Sequence, residues 1–205
     1  VEINNPTPAD YDLFGFSVAV AGDMLVVGTP YADYSGGENP GAAYVYTLQK
    51  PIPTGLAPFW TLTNWSPDDW DLFGYSVAAS DEIIAVGTPF CDYSGKTDIG
   101  AVYVFDVATR QRLPTLLNPR VASYESFGYS VAVTGNTVVV GAPYADPGGL
   151  TNAGAAYLFS ASTGGRLRTF SHPTPAANDQ FGFSVAVSGD RVLVGAPLDD
   201  AGGVA

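Results

Sequence analysis

Phe127-Gly128-Tyr129-Ser130-Val131-Ala132-Val133-Thr134-Gly135-Asn136-Thr137-Val138-Val139-Val140-Gly141-Ala142-Pro143 is the stretch on which the fold turns. Large residues (Phe127, Tyr129, Val131, Val133) alternate with small ones (Gly128, Ser130, Ala132). This period of two marks a β-strand with a bulky face and a flat face. Gly135-Asn136 follows, a pair that tolerates the positive φ of a tight hairpin turn. Thr137 to Val140 is then apolar throughout, as in a strand buried on both faces. Gly141-Ala142-Pro143 closes the stretch, because proline cannot donate to a ladder.

The block occurs four times. Its Phe-Gly pairs begin at Phe14, Phe73, Phe127 and Phe181, and its Gly-x-Pro marks at Gly28, Gly87, Gly141 and Gly195. Both series step by 59, 54 and 54 residues. A third mark, Gly-Ala-Ala/Val-Tyr, begins at Gly41, Gly100 and Gly154, each thirteen residues after a Gly-x-Pro glycine. Repetition at this period indicates a propeller, a solenoid or an array. The marks predict third strands at 42–47, 101–107 and 155–160, and weaker fourth strands at 59–63, 113–117 and 167–171. The expected fold is therefore all-β, in propeller blades of four antiparallel strands. The bulky face of one sheet should fill the space left by the small residues of the next. Burying one Phe or Val contributes roughly 1.5–3 kcal/mol, most of which a lone four-stranded sheet would leave unrealised.

Composition narrows the function. Of the 205 residues, 46% are hydrophobic and only 14% charged, which excludes a disordered chain. Net charge is −12, with eight Lys plus Arg, so neither nucleic acid nor an anionic membrane is an expected partner. No apolar run reaches membrane-spanning length. The single cysteine, Cys91, precludes an intrachain disulfide and reads as an inert, partly buried thiol. One histidine, His172, stands where other repeats place a turn asparagine. With it and Cys91 in unrelated places, no nucleophile–base pair can be assembled. There is also no phosphate-binding loop and no zinc-ligand spacing. The expectation is a protein that is not an enzyme.

These marks resemble the FG-GAP repeat, the blade module of integrin α-subunit propellers and of many bacterial surface proteins. The match takes in nearly the whole chain, residues 1–205, as one repeat region. The resemblance implies a β-propeller with an extracellular or cell-surface, adhesive or structural role. Many blades of that family carry a calcium loop of Asp-x-Asp/Asn-x-Asp-Gly type between the first two strands. Here the matching positions are only short turns, so calcium is not expected at that place. The repeat phase makes the array incomplete at both ends. Residues 1 to 4 read as the fourth strand of an earlier repeat, and the next Gly-Ala-Ala-Tyr would fall beyond Ala205. A piece of a longer propeller, a piece of a longer repeat array, and a body completed by a neighbour's strand all fit. A longer parent protein is the favoured reading. The unpaired edges would invite other chains, copies of itself included, as in a fibre subunit.

Several residues are candidates for binding. An Asp recurs three residues after each Gly-x-Pro proline: Asp33, Asp92, Asp146 and Asp200. Glycines follow three residues on, at Gly36, Gly95, Gly149 and Gly203. A second acidic slot precedes each Phe by two: Asp12, Asp71, Glu125 and Asp179. Both slots should collect at one rim, as an acidic docking ring or weak cation sites, or as ordinary turn residues with solvated carboxylates. The three tryptophans, Trp60, Trp65 and Trp70, fall within eleven residues. Trp70 shares the slot of Tyr11 and Tyr124 and reads as packing. Trp65 stands where other repeats have Pro6, Pro119 and Pro173, and is the candidate contact for carbohydrate or protein, with ordinary edge packing as the other reading. Asn64-Trp65-Ser66 is the one N-glycosylation sequon, although Asn5 and Asn118 in the same slot suggest a turn role for Asn64. The functional expectation is a structural or adhesion protein acting through blade surfaces on other protein chains. The alternative is a lectin-like module for carbohydrate or a cation.

Overall fold

The computed structural model describes residues 2–33, 37–48 and 56–200. Among these the chain is all-β. Sheet one holds β1 (Ser17–Ala21), β2 (Met24–Thr29), β3 (Ala42–Thr47) and β4 (Trp60–Thr63). Sheet two holds β5 (Ser76–Ala79), β6 (Ile83–Thr88), β7 (Ala101–Asp106) and β8 (Leu116–Leu117). Sheet three holds β9 (Ser130–Thr134), β10 (Thr137–Ala142), β11 (Ala155–Ser160) and β12 (Arg166–Phe170). β13 (Ser184–Ser188) and β14 (Arg191–Gly195) pair as a two-stranded sheet. Each four-stranded sheet is ordered as its strands occur in the chain, and every pairing is antiparallel, the arrangement of propeller blades.

Three differences from the sequence reading have local causes. The first strand of each blade begins three residues after its Phe. The intervening glycine has φ of +87° to +97° in the four copies, which a strand cannot continue through. The second strand of each full blade runs on through the Gly-x pair and stops only at the proline, whose missing N–H ends the ladder. Residues 2–5 form no strand, while Val1 lies outside the described residues. Instead Ile3 packs on sheet one and the Asn4 carbonyl accepts from the Tyr46 hydroxyl.

The sheets stack face to face. The small face of sheet one, with Ala19 and Val26, meets Phe73, Val77, Ile84 and Val86 of sheet two. Ala85, Val102 and Val104 of sheet two meet Phe127, Val138, Val140 and, in partial burial, Val131 and Val133 of sheet three. Bulky faces therefore point back along the chain and small faces forward; the alternation implies large-on-small stacking, and the structure supplies its direction. Phe73 and Phe127 are wholly buried and lie on aromatic rings of their own third strands. Phe73 is 5.5 Å from Tyr103, and Phe127 is 5.6 Å from Phe159.

Each junction is closed by the same backbone contact. The Oγ atoms of Ser17, Ser76 and Ser130 donate to the carbonyls of Gly74, Gly128 and Gly182 in the next blade, each at 2.8 Å. Their cross-strand partners are Gly28, Gly87 and Gly141. A Cβ on any of these glycines would collide with that same carbonyl oxygen. Close approach is thus what requires glycine here. Gly195 holds the same position in the last sheet, where a Cβ would meet Ser184 alone. Gly141→Ala should therefore destabilise the chain by about 3 kcal/mol, the upper range for overpacking a tight site. Gly195→Ala should cost clearly less, because the end of a serine side chain can turn aside. Urea denaturation of the two variants beside the parent chain measures the difference.

Candidate functional site

The acidic residue two before each Phe organises a rim loop. Asp12 Oδ2 accepts from Asn5 Nδ2 at 2.7 Å and from the Ala9 N–H at 2.8 Å. Asp71 Oδ2 accepts from Asn64 Nδ2 at 2.7 Å and from the Asp68 N–H at 2.9 Å. Glu125 accepts from Asn118 Nδ2 at 2.8 Å and from Arg120 Nε at 2.9 Å. Asp179 Oδ2 accepts from the Ala176 N–H at 2.7 Å. All four carboxylates are buried, so this slot presents neither an exposed acidic docking ring nor the solvated carboxylates of ordinary turn residues. The residues on either side adopt left-handed φ in every copy: Tyr11 and Leu13, Trp70 and Leu72, Tyr124 and Ser126, Asn178 and Gln180. Left-handed backbone at non-glycine residues is costly, and the buried carboxylate with its donors holds it in place.

The same geometry corrects Trp70. Left-handed backbone turns Tyr11, Trp70 and Tyr124 outward while the acid beside them turns in, leaving the three rings 87%, 49% and 64% exposed. It also assigns Asn64. This sequon asparagine is buried, and the Nδ2 atom that a glycan would occupy donates to Asp71. In the folded chain the amide is a loop lock.

In the first three copies the recurrent Asp after Gly-x-Pro closes its own loop. Oδ1 of Asp33, Asp92 and Asp146 accepts from the N–H six residues on, at Asn39, Asp98 and Asn152, over 2.7–2.9 Å. The bond spans six residues, longer than the two of an Asx turn, so the carboxylate staples the whole loop shut. Asp200 follows the last described strand, and Gly36 and Gly203 lie outside the described residues. The two acidic slots do share a rim, since the Tyr31 N–H donates to the Asp12 carbonyl.

Trp65 makes the most distinctive cavity. It lies edge to face with Tyr103 at 4.3 Å between ring centroids, and the Arg112 guanidinium sits 3.3 Å above its ring. With Asp68, Cys91, Asp92, Tyr93 and Tyr103 it lines a cavity of about 290 Å³. The cavity floor is dry enough to perturb its groups. Burial pushes the Cys91 thiol up to about 12, so it stays protonated and inert at neutral pH, as the sequence suggested. Burial likewise raises Tyr103. Burial is also the main cause that lifts the Asp71 carboxyl behind the cavity to about 6, against the lowering effect of the Asp68 N–H and Asn64.

A second cluster was not legible in sequence. His172 Nδ1 lies 3.6 Å from Asp179 Oδ2, and Nε2 lies 3.5 Å from Asp199 Oδ2. These three residues are the group of potential metal ligands found among the described residues. Two of them depart from the repeat pattern in the same copy, which was the available signal.

The pattern of the FG-GAP repeat matches residues 7–46, 67–105, 115–159 and 174–205, well over half of the chain. The chain belongs to the FG-GAP repeat family. The family is generally non-catalytic. Among solved structures, the chain is similar to the computationally designed Ika8 protein, at 17% identity and a TM-score of 0.52. That likeness covers 89% of this chain and 42% of the designed one, and it speaks to the fold. No curated protein matches the chain.

The raised Asp71 makes a pH prediction. Its protonated form is favoured in the fold, so its contribution is full below the unfolded value near 3.8 and is lost as pH rises through about 6. The urea midpoint should fall between pH 4 and pH 7, and Asp71→Asn should flatten that fall.

Proposed function

We propose that this chain is a non-catalytic extracellular structural or adhesion module that works by stacking its blade faces on other blades. The supporting observation is the pair of uncovered sheet faces. On sheet one, Val18 and Val20 are 61% and 62% exposed, whereas their counterparts Val77, Val131 and Val133 pack against a preceding sheet. On the two-stranded sheet, Leu193 is 73% exposed, whereas its counterparts Val26, Ala85 and Val139 are wholly buried. One face is bulky and the other flat. They are the two halves of a joint that the chain makes internally between successive blades. Each uncovered Val or Leu holds roughly 1.5–3 kcal/mol that burial would release. A blade of the same family, in this protein or in a second copy, has the matching shape.

A second reading rests on the Trp65 cavity, whose aromatic rings flank the carboxylates of Asp68 and Asp92 in the manner of a small carbohydrate subsite. It would make the chain a lectin-like module. The two readings separate experimentally. Stacking predicts concentration-dependent self-association in sedimentation, abolished by Val18→Asp with Val20→Asp and by Leu193→Asp. A lectin-like role predicts retention on a specific glycan, lost in Trp65→Ala, with no effect of the sheet-face changes. A chain that stays monomeric at high concentration overturns the stacking proposal.

A further inference from the structure

In the first three repeats, an asparagine amide and a buried carboxylate tie the rim loop. Asn5, Asn64 and Asn118 donate to Asp12, Asp71 and Glu125 at 2.7, 2.7 and 2.8 Å. The fourth repeat replaces the asparagine by His172. The contact then opens to 3.6 Å, and the buried Nδ1 atom has no hydrogen-bond partner. A buried nitrogen left this way costs free energy that the fold does not recover within the repeat.

The same repeat carries a second departure. Asp199 holds the position of Ala32, Cys91 and Ala145. The equivalence is structural, because all four donate their N–H to the carbonyl three residues earlier, at Thr29, Thr88, Ala142 and Ala196. In the other copies the side chain at this position is buried and apolar or a thiol. In the fourth it is a carboxylate 3.5 Å from His172 Nε2. Two substitutions toward metal-ligand chemistry thus meet at one point beside an acid that every repeat already has.

The geometry points to a binding site for a zinc-class transition-metal dication, formed by His172, Asp179 and Asp199. Each offers one ligand atom, and these atoms lie within 4.8 Å of one another. An imidazole nitrogen with two carboxylate oxygens is a donor set for zinc and its neighbours, whereas calcium takes six to eight oxygens. Zinc bonds of roughly 2.0–2.2 Å in tetrahedral array place two donor atoms about 3.3–3.5 Å apart. The Nε2 to Asp199 spacing already has that length, so Nε2 is the one ligating nitrogen, while Nδ1 faces Asp179 at 3.6 Å. The Ala176 N–H holds the Asp179 carboxylate by donating to Oδ2, the oxygen that also faces His172, as outer hydrogen bonds commonly do for ligating groups. Asp179 and His172 are deep, at 2% and 12% side-chain exposure, and Asp199 at 28% faces the way in. Three protein ligands leave a fourth position open to water or to a donor from a partner. A dication there would neutralise two adjacent carboxylates in a chain of net charge −12.

The test uses variants that the chain's own repeats have already validated. His172→Asn restores the residue of the first three loops. Asp199→Ala restores the residue of the first and third. Both should melt as cooperatively as the parent after chelator treatment, so a lost signal cannot be laid to misfolding. Zinc chloride titrated into the chelator-treated parent chain should bind one equivalent in calorimetry and raise the melting temperature. Cobalt(II) should give visible absorption of a low-coordinate site. Each variant should weaken zinc by at least about tenfold, the lower loss seen even for outer-shell partners, and lose the cobalt bands. No binding by the parent chain, or equal binding by the parent and both variants, would overturn the site.

Discussion

The contact on which the architecture depends is the approach of one glycine to the next blade's glycine carbonyl, with a serine hydroxyl donating to that carbonyl. It sets the distance between sheets, so it sets which side chains can fill the gap. With backbone touching backbone at the start of the blade, a small residue such as Ala19 or Ala85 lies opposite Phe73 or Phe127. The bulky rings then reach across and rest on the aromatic third strand of their own blade. Serine matters as well as glycine. The carbonyl it satisfies is deep in the junction, and a buried acceptor without a donor would cost about 1–3 kcal/mol.

The rim loops illustrate a different economy. Each leads the chain into the next Phe-Gly, in the last three copies from a fourth strand, through two left-handed non-glycine residues. Such backbone persists only where its surroundings over-determine it. The buried carboxylate does this by gathering an asparagine amide and a backbone N–H in two copies, and by taking an arginine in place of the backbone donor in the third. Because the scaffold holds the loop in this way, the neighbouring positions are free to vary. Trp65 appears at such a position, while His172 replaces the lock asparagine itself and Cys91 and Asp199 replace a small buried residue beside it.

Much of this was legible in the residues. The Phe-Gly, Gly-x-Pro and Gly-Ala-Tyr marks located the strands, and the alternation of large and small gave large-on-small stacking of the sheets. Errors clustered where a side chain's direction depends on backbone φ. Trp70 and Asp71 are adjacent, yet one is turned out and the other in, an outcome that hydrophobicity alone would reverse. Asn64 was ambiguous for the same reason, since a sequon and a loop lock use the same amide.

The chain by itself determined the number of repeats, the order of strands and the faces that would meet, because period-two patterning and turn chemistry are local. Only the tertiary structure decided which loop residues share a site. His172 and Asp179 share the loop before β13, in the seven-residue spacing of every repeat, whereas Asp199 follows β14 some twenty residues on. What brings Asp199 to the other two is the antiparallel pairing of β13 with β14, which sets Ser184 against Gly195 and so places the loop before β13 beside the turn after β14.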